Sequence, residues 1–509
     1  MSSFAVDNKK IAKNTIVLYF RMAFTMLVSF FATRIALEVL GSEDYGLNNL
    51  VGGVVAMFSF INGSMGTAVQ RFYSIAIGEG DVEKLKRIFG CGLFLHIIVA
   101  VLTLCVVEIF AVFFLHTLNI PFERMDAAQL VFQFAIISMC FGILSVPYAA
   151  MLRARENFSV IAIVDIITAI LRLLILFFLI KFDYDKLILF ASFNFFISLF
   201  NILFLVFSAR KYEETHSFIC IDKTLIKEML SFVSLLLFTV LAQVLRDNGL
   251  TILVNIYFGL YLNAAFAIAI QVSHMVTTFV MNFKQAIVPQ LMTAWGANKK
   301  YEVISLINIG TKVTFLLLIM LSFPIIFESE FILNIWLKEP PVHASQLVSL
   351  AVISINISSF TYFLYQAVHA TGKIKQQQIW MSMLYILNIF FIYISFRLGK
   401  NYYYAYYITI LISLFQCVVN VYFANKYINL SLRDFCLNIV LRCCFVFIFL
   451  SFLYFLFVTY IDSNWMRFIL GICINVLLCV VLGYFVLLDS VEKDKVKLFL
   501  LNKIKFLNL

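Results

Sequence analysis

Residues 68–92 read AVQRFYSIAIGEGDVEKLKRIFGCG, and residues 286–310 read AIVPQLMTAWGANKKYEVISLINIG. With a shift of about 218 residues, Ala68 falls on Ala286, Ala76 on Ala294, Gly78 on Gly296 and Gly92 on Gly310. Each stretch opens where one long apolar run ends and closes where the next begins. In the first, Gly78, Gly80 and Asp81 break the run, and Lys84, Lys86 and Arg87 give a polar face to a short amphipathic segment. The pair predicts one cytoplasmic connector used twice, as a short helix in the membrane interface joining spans two and three and again spans eight and nine.

The flanking runs set the class. Of the 509 residues, 63% are hydrophobic and 13% charged, with a mean hydropathy of +0.98. A soluble chain of this length has too little polar surface to cover so much apolar material. Barrel strands alternate in polarity whereas these runs are continuous, so the expectation is an all-α polytopic membrane protein. A span needs ~20 apolar residues, which gives roughly fourteen spans. They group as a six-helix bundle over 1–209, a cytoplasmic linker over 210–228, a second six-helix bundle over 229–426, two further helices over 427–488 and a basic amphipathic tail over 489–509. Six spans per half is an even number, so the halves form a parallel repeat about an axis along the membrane normal. The formal net charge of +10 follows from Lys and Arg gathered in one set of loops. That bias places both termini in the cytoplasm and replaces a nucleic-acid reading.

Ten cysteines and six histidines form no metal-binding spacing, and no cofactor is called for. No Walker motif is present, so the chain is not expected to be an ATPase.

The segment AKNTIVLYFRMAFTMLVSFFATRIALEVLGSEDYGLNNL, the G-x-x-D-Y-G turn from Gly41 to Gly46, PYAAMLRAR from Pro147 to Arg155, and the stretch from Pro289 to Gly296 resemble bacterial Wzx-type polysaccharide flippases. These form a branch of the multidrug/oligosaccharidyl-lipid/polysaccharide (MOP, MATE-like) exporter superfamily. The resemblance implies two six-helix bundles facing a central cavity that opens alternately to each side. It implies a multi-pass protein of the bacterial inner membrane that moves an undecaprenyl-diphosphate-linked oligosaccharide from the cytoplasmic to the periplasmic leaflet. The product would be a cell-surface polysaccharide such as O-antigen (lipopolysaccharide) or capsule, and a polysaccharide polymerase complex is a possible partner beside the membrane lipids. The last two helices are expected to form a groove for the lipid tail.

Charges inside spans carry the site prediction, because each costs ~2.5–3.5 kcal/mol to insert and needs a partner, a wet cavity or a route to the interface. Arg21 and Arg34 lie on span one, about 140° apart around the helix, and Arg34 can pair with Glu38 at i,i+4. The cluster Arg246-Asp247-Asn248-Gly249 lies deep in span seven and predicts a distorted helix beside a wet cavity, or else an ion pair between bundles. Asp165 and Arg172 share a face of span five. Lys284 and Lys312 lie near cytoplasmic ends, where snorkelling accounts for them. Gln271 can hydrogen-bond sugar hydroxyls or a neighbouring helix. Arg21, Arg34, Arg246, Lys284 and Gln271 are the expected substrate-binding residues, since guanidinium groups suit a diphosphate. Asp247 and Asp165 are the expected ion-coupling groups for an H+ or Na+ gradient. Two rivals remain. One is a multidrug exporter of the same superfamily. The other is a polymerase or glycosyltransferase using the acidic Ser42-Glu43-Asp44 turn, although every outer loop is short.

Overall fold

In a computed structural model of the chain, the structure describes residues 8–56, 59–114, 122–182, 184–216, 219–337, 340–462, 464–490 and 492–493. Those residues form helices and short connections. The helices are α1 (Asn8–Ala56), α2 (Ser59–Glu79), α3 (Val82–Phe114), α4 (Met125–Ala154), α5 (Phe158–Leu179), α6 (Lys186–Ala209), α7 (Lys223–Gly296), α8 (Lys300–Phe327), α9 (Ser329–Leu337), α10 (Ala344–Phe360), α11 (Tyr362–Thr371), α12 (Lys375–Arg397), α13 (Tyr404–Ile428), α14 (Leu432–Phe435), α15 (Leu441–Tyr460) and α16 (Trp465–Leu482). Thirteen helical segments among the described residues are long and apolar enough to cross a membrane. The expected second span, 46–68, runs partly over residues outside that set.

The repeat is written in the backbone. α1 breaks at Gly41 (φ 76°, ψ 169°) and α7 at Gly259 (φ 79°, ψ 179°), residues that fall on each other in the repeat. Only glycine adopts that pair of angles without strain. The connectors match as well. α2 ends with Gly80 in the left-handed region, Gly80 N–H donating to Ile77 O and Asp81 N–H to Ala76 O. The equivalent end of α7 has Asn298 left-handed, Asn298 N–H donating to Trp295 O and Lys299 N–H to Ala294 O. Both are Schellman caps, and Gly and Asn are the residues that tolerate this position. The expected interfacial helix is therefore absent from both described connectors. α2 and α7 run on to Glu79 and Gly296 as helix, and α3 and α8 start within a few residues. The charged stretch extends a span because its backbone stays hydrogen-bonded through the apolar-to-polar change.

The chain forms two compact units, Met1–Val240 with Gln285–Lys299, and Leu241–Lys284 with Lys300–Leu509. In the first, α4 packs on α2, α3 and α6, and α1 on α5. Its core includes Ala128, Val131, Phe132, Ile136 and Leu187. Asp185 caps α6 by accepting from Leu187 N and Ile188 N, and its other carboxylate oxygen accepts from Arg124. Arg124 also holds Asp44 at 2.8 Å, so the aspartate of the acidic turn is fixed in a structural ion pair.

In the second unit, α10 packs on α8 and α13, and α12 on α13. Phe266 stacks on Tyr406 in its core (centroids 5.4 Å, 7° between planes). Between apolar helices in lipid, packing and interhelical hydrogen bonds supply the cohesion, and α16 shows how. It lies along α8 with polar fasteners at three heights. Arg467 pairs with buried Glu328 at 2.6 Å. Asn475 Nδ2 donates to Met320 O (3.1 Å) and Ile319 O (3.3 Å). Beyond α16, Asp489 and Glu492 accept from Lys312 at 3.2 and 2.8 Å. The middle fastener has a cause in the sequence: Pro324 lacks the N–H that would bond Met320 O within the helix, and Asn475 supplies a donor instead.

Candidate functional site

Each unit carries charge inside its spans. In the first, Arg21 on α1 donates to Asp165 on α5 at 2.9 Å. Asp165 also lies within electrostatic reach of Arg153, at the end of α4, and of Arg172, two turns along α5. Neither Arg153 nor Arg172 has a hydrogen-bonded partner among the described residues. One guanidinium thus bonds the carboxylate of Asp165, and two more lie within electrostatic reach of it. The i,i+7 spacing of Asp165 and Arg172 brought them to one face, but the shorter contact of Asp165 is across to α1. Arg153 is not among the charges the sequence singles out inside spans. Its position follows from α4 running through Pro147 as continuous helix, and the basic end of PYAAMLRAR was the available signal. Arg34 is exposed and makes no ion pair with Glu38 among the described residues. The i,i+4 spacing permits that contact and does not enforce it.

In the second unit, Arg246 donates to its neighbour Asp247, Nε–Oδ1 2.8 Å and Nη2–Oδ1 2.7 Å. The guanidinium lies 4.7 Å from the ring centroid of Tyr385, and Tyr406 is within electrostatic reach of Asp247. The pair is neither an interbundle bridge nor the seat of a distortion: α7 keeps helical angles through residues 246–249 and breaks instead at Gly259. Gly249 serves packing, since a Cβ there would lie 3.1 Å from Ile389. The two tyrosines were not singled out in the sequence, because nothing local distinguishes them from aromatics that face lipid.

The two lysines assigned to snorkelling do not snorkel. Lys284 is 3% exposed, with Nζ 4.5 Å from the Tyr362 ring centroid and no carboxylate within ion-pair distance among the described residues. A π face attracts a lysine ammonium electrostatically through the ring quadrupole. Lys312 is 1% exposed and held by Asp489 and Glu492, residues the sequence assigns to the basic amphipathic tail. Residues 494–509 of that tail lie outside the described set. Gln271 is exposed on α7. No group of three or more metal-ligating side chains occurs among the described residues.

The MatE family profile matches residues 18–178. No curated protein matches the chain. Solved structures match over most of it. A MATE transporter in the bent conformation has a TM-score of 0.73 at 13% identity, covering 83% of this chain and 95% of that one. A MOP superfamily transporter from Pyrococcus furiosus, whose binding pocket is described as of reverse polarity, has a TM-score of 0.69 at 12% identity, covering 82% and 96%. The MATE transporter ClbM in complex with Rb+ has a TM-score of 0.68 at 14% identity, covering 83% and 96%. The chain has the fold of MATE transporters, in a multi-pass, all-helical membrane protein.

Proposed function

We propose that this protein is an ion-coupled flippase for an undecaprenyl-diphosphate-linked oligosaccharide, moving it from the cytoplasmic to the periplasmic leaflet for surface polysaccharide assembly. One observation carries the reading: within the spans of the first unit Arg21 bonds Asp165, and Arg153 and Arg172 lie within electrostatic reach of that same carboxylate. An excess of guanidinium over carboxylate suits a diphosphate, which accepts paired N–H bonds from each fork. It does not suit the organic cations that a multidrug site takes. Asp165 is assigned the coupling step. While ionised it occupies Arg21, and a proton or Na+ on Asp165 frees that guanidinium for phosphate. Arg34 and Gln271, both exposed, are assigned to the head group and its sugar hydroxyls, Lys284 and Arg246 to further anion contacts, and Asp247 to a second coupling position. The Pyrococcus furiosus relative is a precedent for pocket polarity varying on this fold. Both termini are assigned to the cytoplasm.

The test is alanine replacement of Arg21, Arg153 and Arg172, singly, in a strain that depends on the chain for surface polysaccharide. The expected result is lost surface polysaccharide with accumulation of single lipid-linked units inside. Normal surface polysaccharide in all three variants removes the reading. Flipping in proteoliposomes that ignores both pH and Na+ gradients removes the coupling assignment.

One feature favours a multidrug exporter. The side chain of Asp247 is 52% exposed and lies near Tyr385 and Tyr406, and a carboxylate among aromatic rings suits a hydrophobic cation. Energised efflux of a cationic dye that is abolished by Asp247→Asn and unaffected by Arg153→Ala would select that reading.

A further inference from the structure

The second unit contains a cavity of about 320 Å³ lined by Val272 and Met275 of α7, Ile325 of α8, Ser329, Ile332, Leu333 and Trp336 in α9, and Val348 of α10. It plays no part in the charged sites described above. Seven of its eight lining residues are apolar, and the eighth offers no free polar atom. Ser329 Oγ shares a 2.6 Å hydrogen bond with Ser345 Oγ, and Ser349 Oγ lies 3.4 Å away with its own bond to Ile326 O. A sugar or a phosphate would therefore lose its hydration there for little in return. Water is excluded on the same ground, since a buried water needs two to four polar contacts.

The cavity is open at one side. Met275 is 49% exposed and Trp336 42% exposed, and both rim it. Met275 belongs to a membrane-spanning segment, Leu262–Gly296. Trp336 lies on α9, at the end of the apolar helix α8, where tryptophans mark the edge of the hydrocarbon layer. The volume is about twice the ~150 Å³ of an apolar cavity that takes up a single benzene ring, and it falls at the small end of the ~300–1,000 Å³ range of ligand pockets.

We infer that this cavity is a binding site for one straight hydrocarbon chain of a membrane phospholipid, entering between Met275 and Trp336. The commitment to phospholipid rests on supply: the cavity opens beside a membrane-spanning segment, where phospholipid is the apolar solute in excess. The site does not depend on which substrate the transporter carries.

Trp336 is a built-in reporter. The full-length chain with Trp295→Phe, Trp380→Phe and Trp465→Phe retains it as the sole tryptophan. In detergent, titration with phosphatidylcholine carrying dibrominated acyl chains should quench its fluorescence and saturate near one lipid per protein. Val348→Phe, which fills the cavity, should abolish the saturable phase, and Val272→Ile should weaken it. Both are accepted only if they remain monodisperse with unchanged helical circular dichroism. Native mass spectrometry should show one retained phospholipid in the parent and none in Val348→Phe. Linear, unsaturable quenching that is equal in parent and Val348→Phe overturns the site and leaves only contact with surrounding lipid. Displacement of the brominated lipid by stoichiometric undecaprenyl phosphate, but not by unbrominated phosphatidylcholine, overturns the phospholipid assignment in favour of a polyprenyl occupant.

Discussion

Gly78 and Gly296, equivalent residues of the two repeats, cross within the first unit, each against the helix that bears the other. A Cβ on Gly78 would overlap Thr293 O and come within 2.8 Å of Ala297 N. A Cβ on Gly296 would overlap Ile75 O and come within 2.8 Å of Ile75 Cα. Ile75 and Thr293 are themselves equivalent under the repeat, so the crossing is symmetric. Two backbones can approach this closely only where neither carries a side chain, as small residues permit between membrane helices.

The crossing predicts the effect of restoring a side chain. Gly78→Val and Gly296→Val should each force the backbones apart at a cost of about 1–3 kcal/mol, the usual range for overpacking. They should lower the thermal midpoint in detergent. The double variant should lose much less than the sum of the two, because the first substitution already opens the contact the second would break. Additive losses would mean that the two glycines act separately.

For Arg21 and Asp165 the expected pattern separates transport from folding. The pair is partly exposed, with side chains 21% and 40% accessible, so its removal should change the thermal midpoint little. Arg21→Ala, Asp165→Ala and the double variant should all fold, and all should fail to export. Arg21→Lys should recover only part of the activity, since it keeps the charge and loses the fork. Recovery of transport in the double variant would make the pair structural.

Lys312 predicts the consequence of shortening the chain. Ending the chain at Leu488 removes Asp489 and Glu492 and leaves an ammonium that is 1% exposed without its acids. A loss of about 3–5 kcal/mol is expected, as for other broken buried pairs. Ending it after Lys493 retains both acids and should be well tolerated. Adding Lys312→Met to the shorter chain should restore stability, because it removes the orphaned charge. Thermal unfolding of the four proteins decides the point.

Asn475 predicts a rescue that links two helices. Asn475→Leu strands Met320 O in the apolar contact between α16 and α8, which should cost about 1–3 kcal/mol. Pro324→Ala returns the missing backbone donor within α8. The combination should therefore be more stable than Asn475→Leu alone. A cycle with no coupling energy would sever Asn475 from the proline.

What the sequence determined is whatever depends on neighbours along the chain. Apolar run length identified the spans, and the offset of about 218 residues identified the repeat before any angle was known. Gly41 and Gly259, Gly78 and Gly296, and Ala76 and Ala294 then reappeared as matched breaks, crossings and caps. The charged residues were legible as anomalies, because a charge in an apolar run is costly wherever it points. Their partners were not legible. Arg34 has Glu38 one turn away and leaves it, whereas Arg21 reaches Asp165 across 144 residues. Lys284 and Lys312 lie near span ends, yet one finds the Tyr362 ring and the other the acids beyond α16. Helical spacing fixes only which side chains of one helix share a face. Which face meets which neighbour is set by packing among many helices at once, and in lipid that packing also decides which charge is buried and with what.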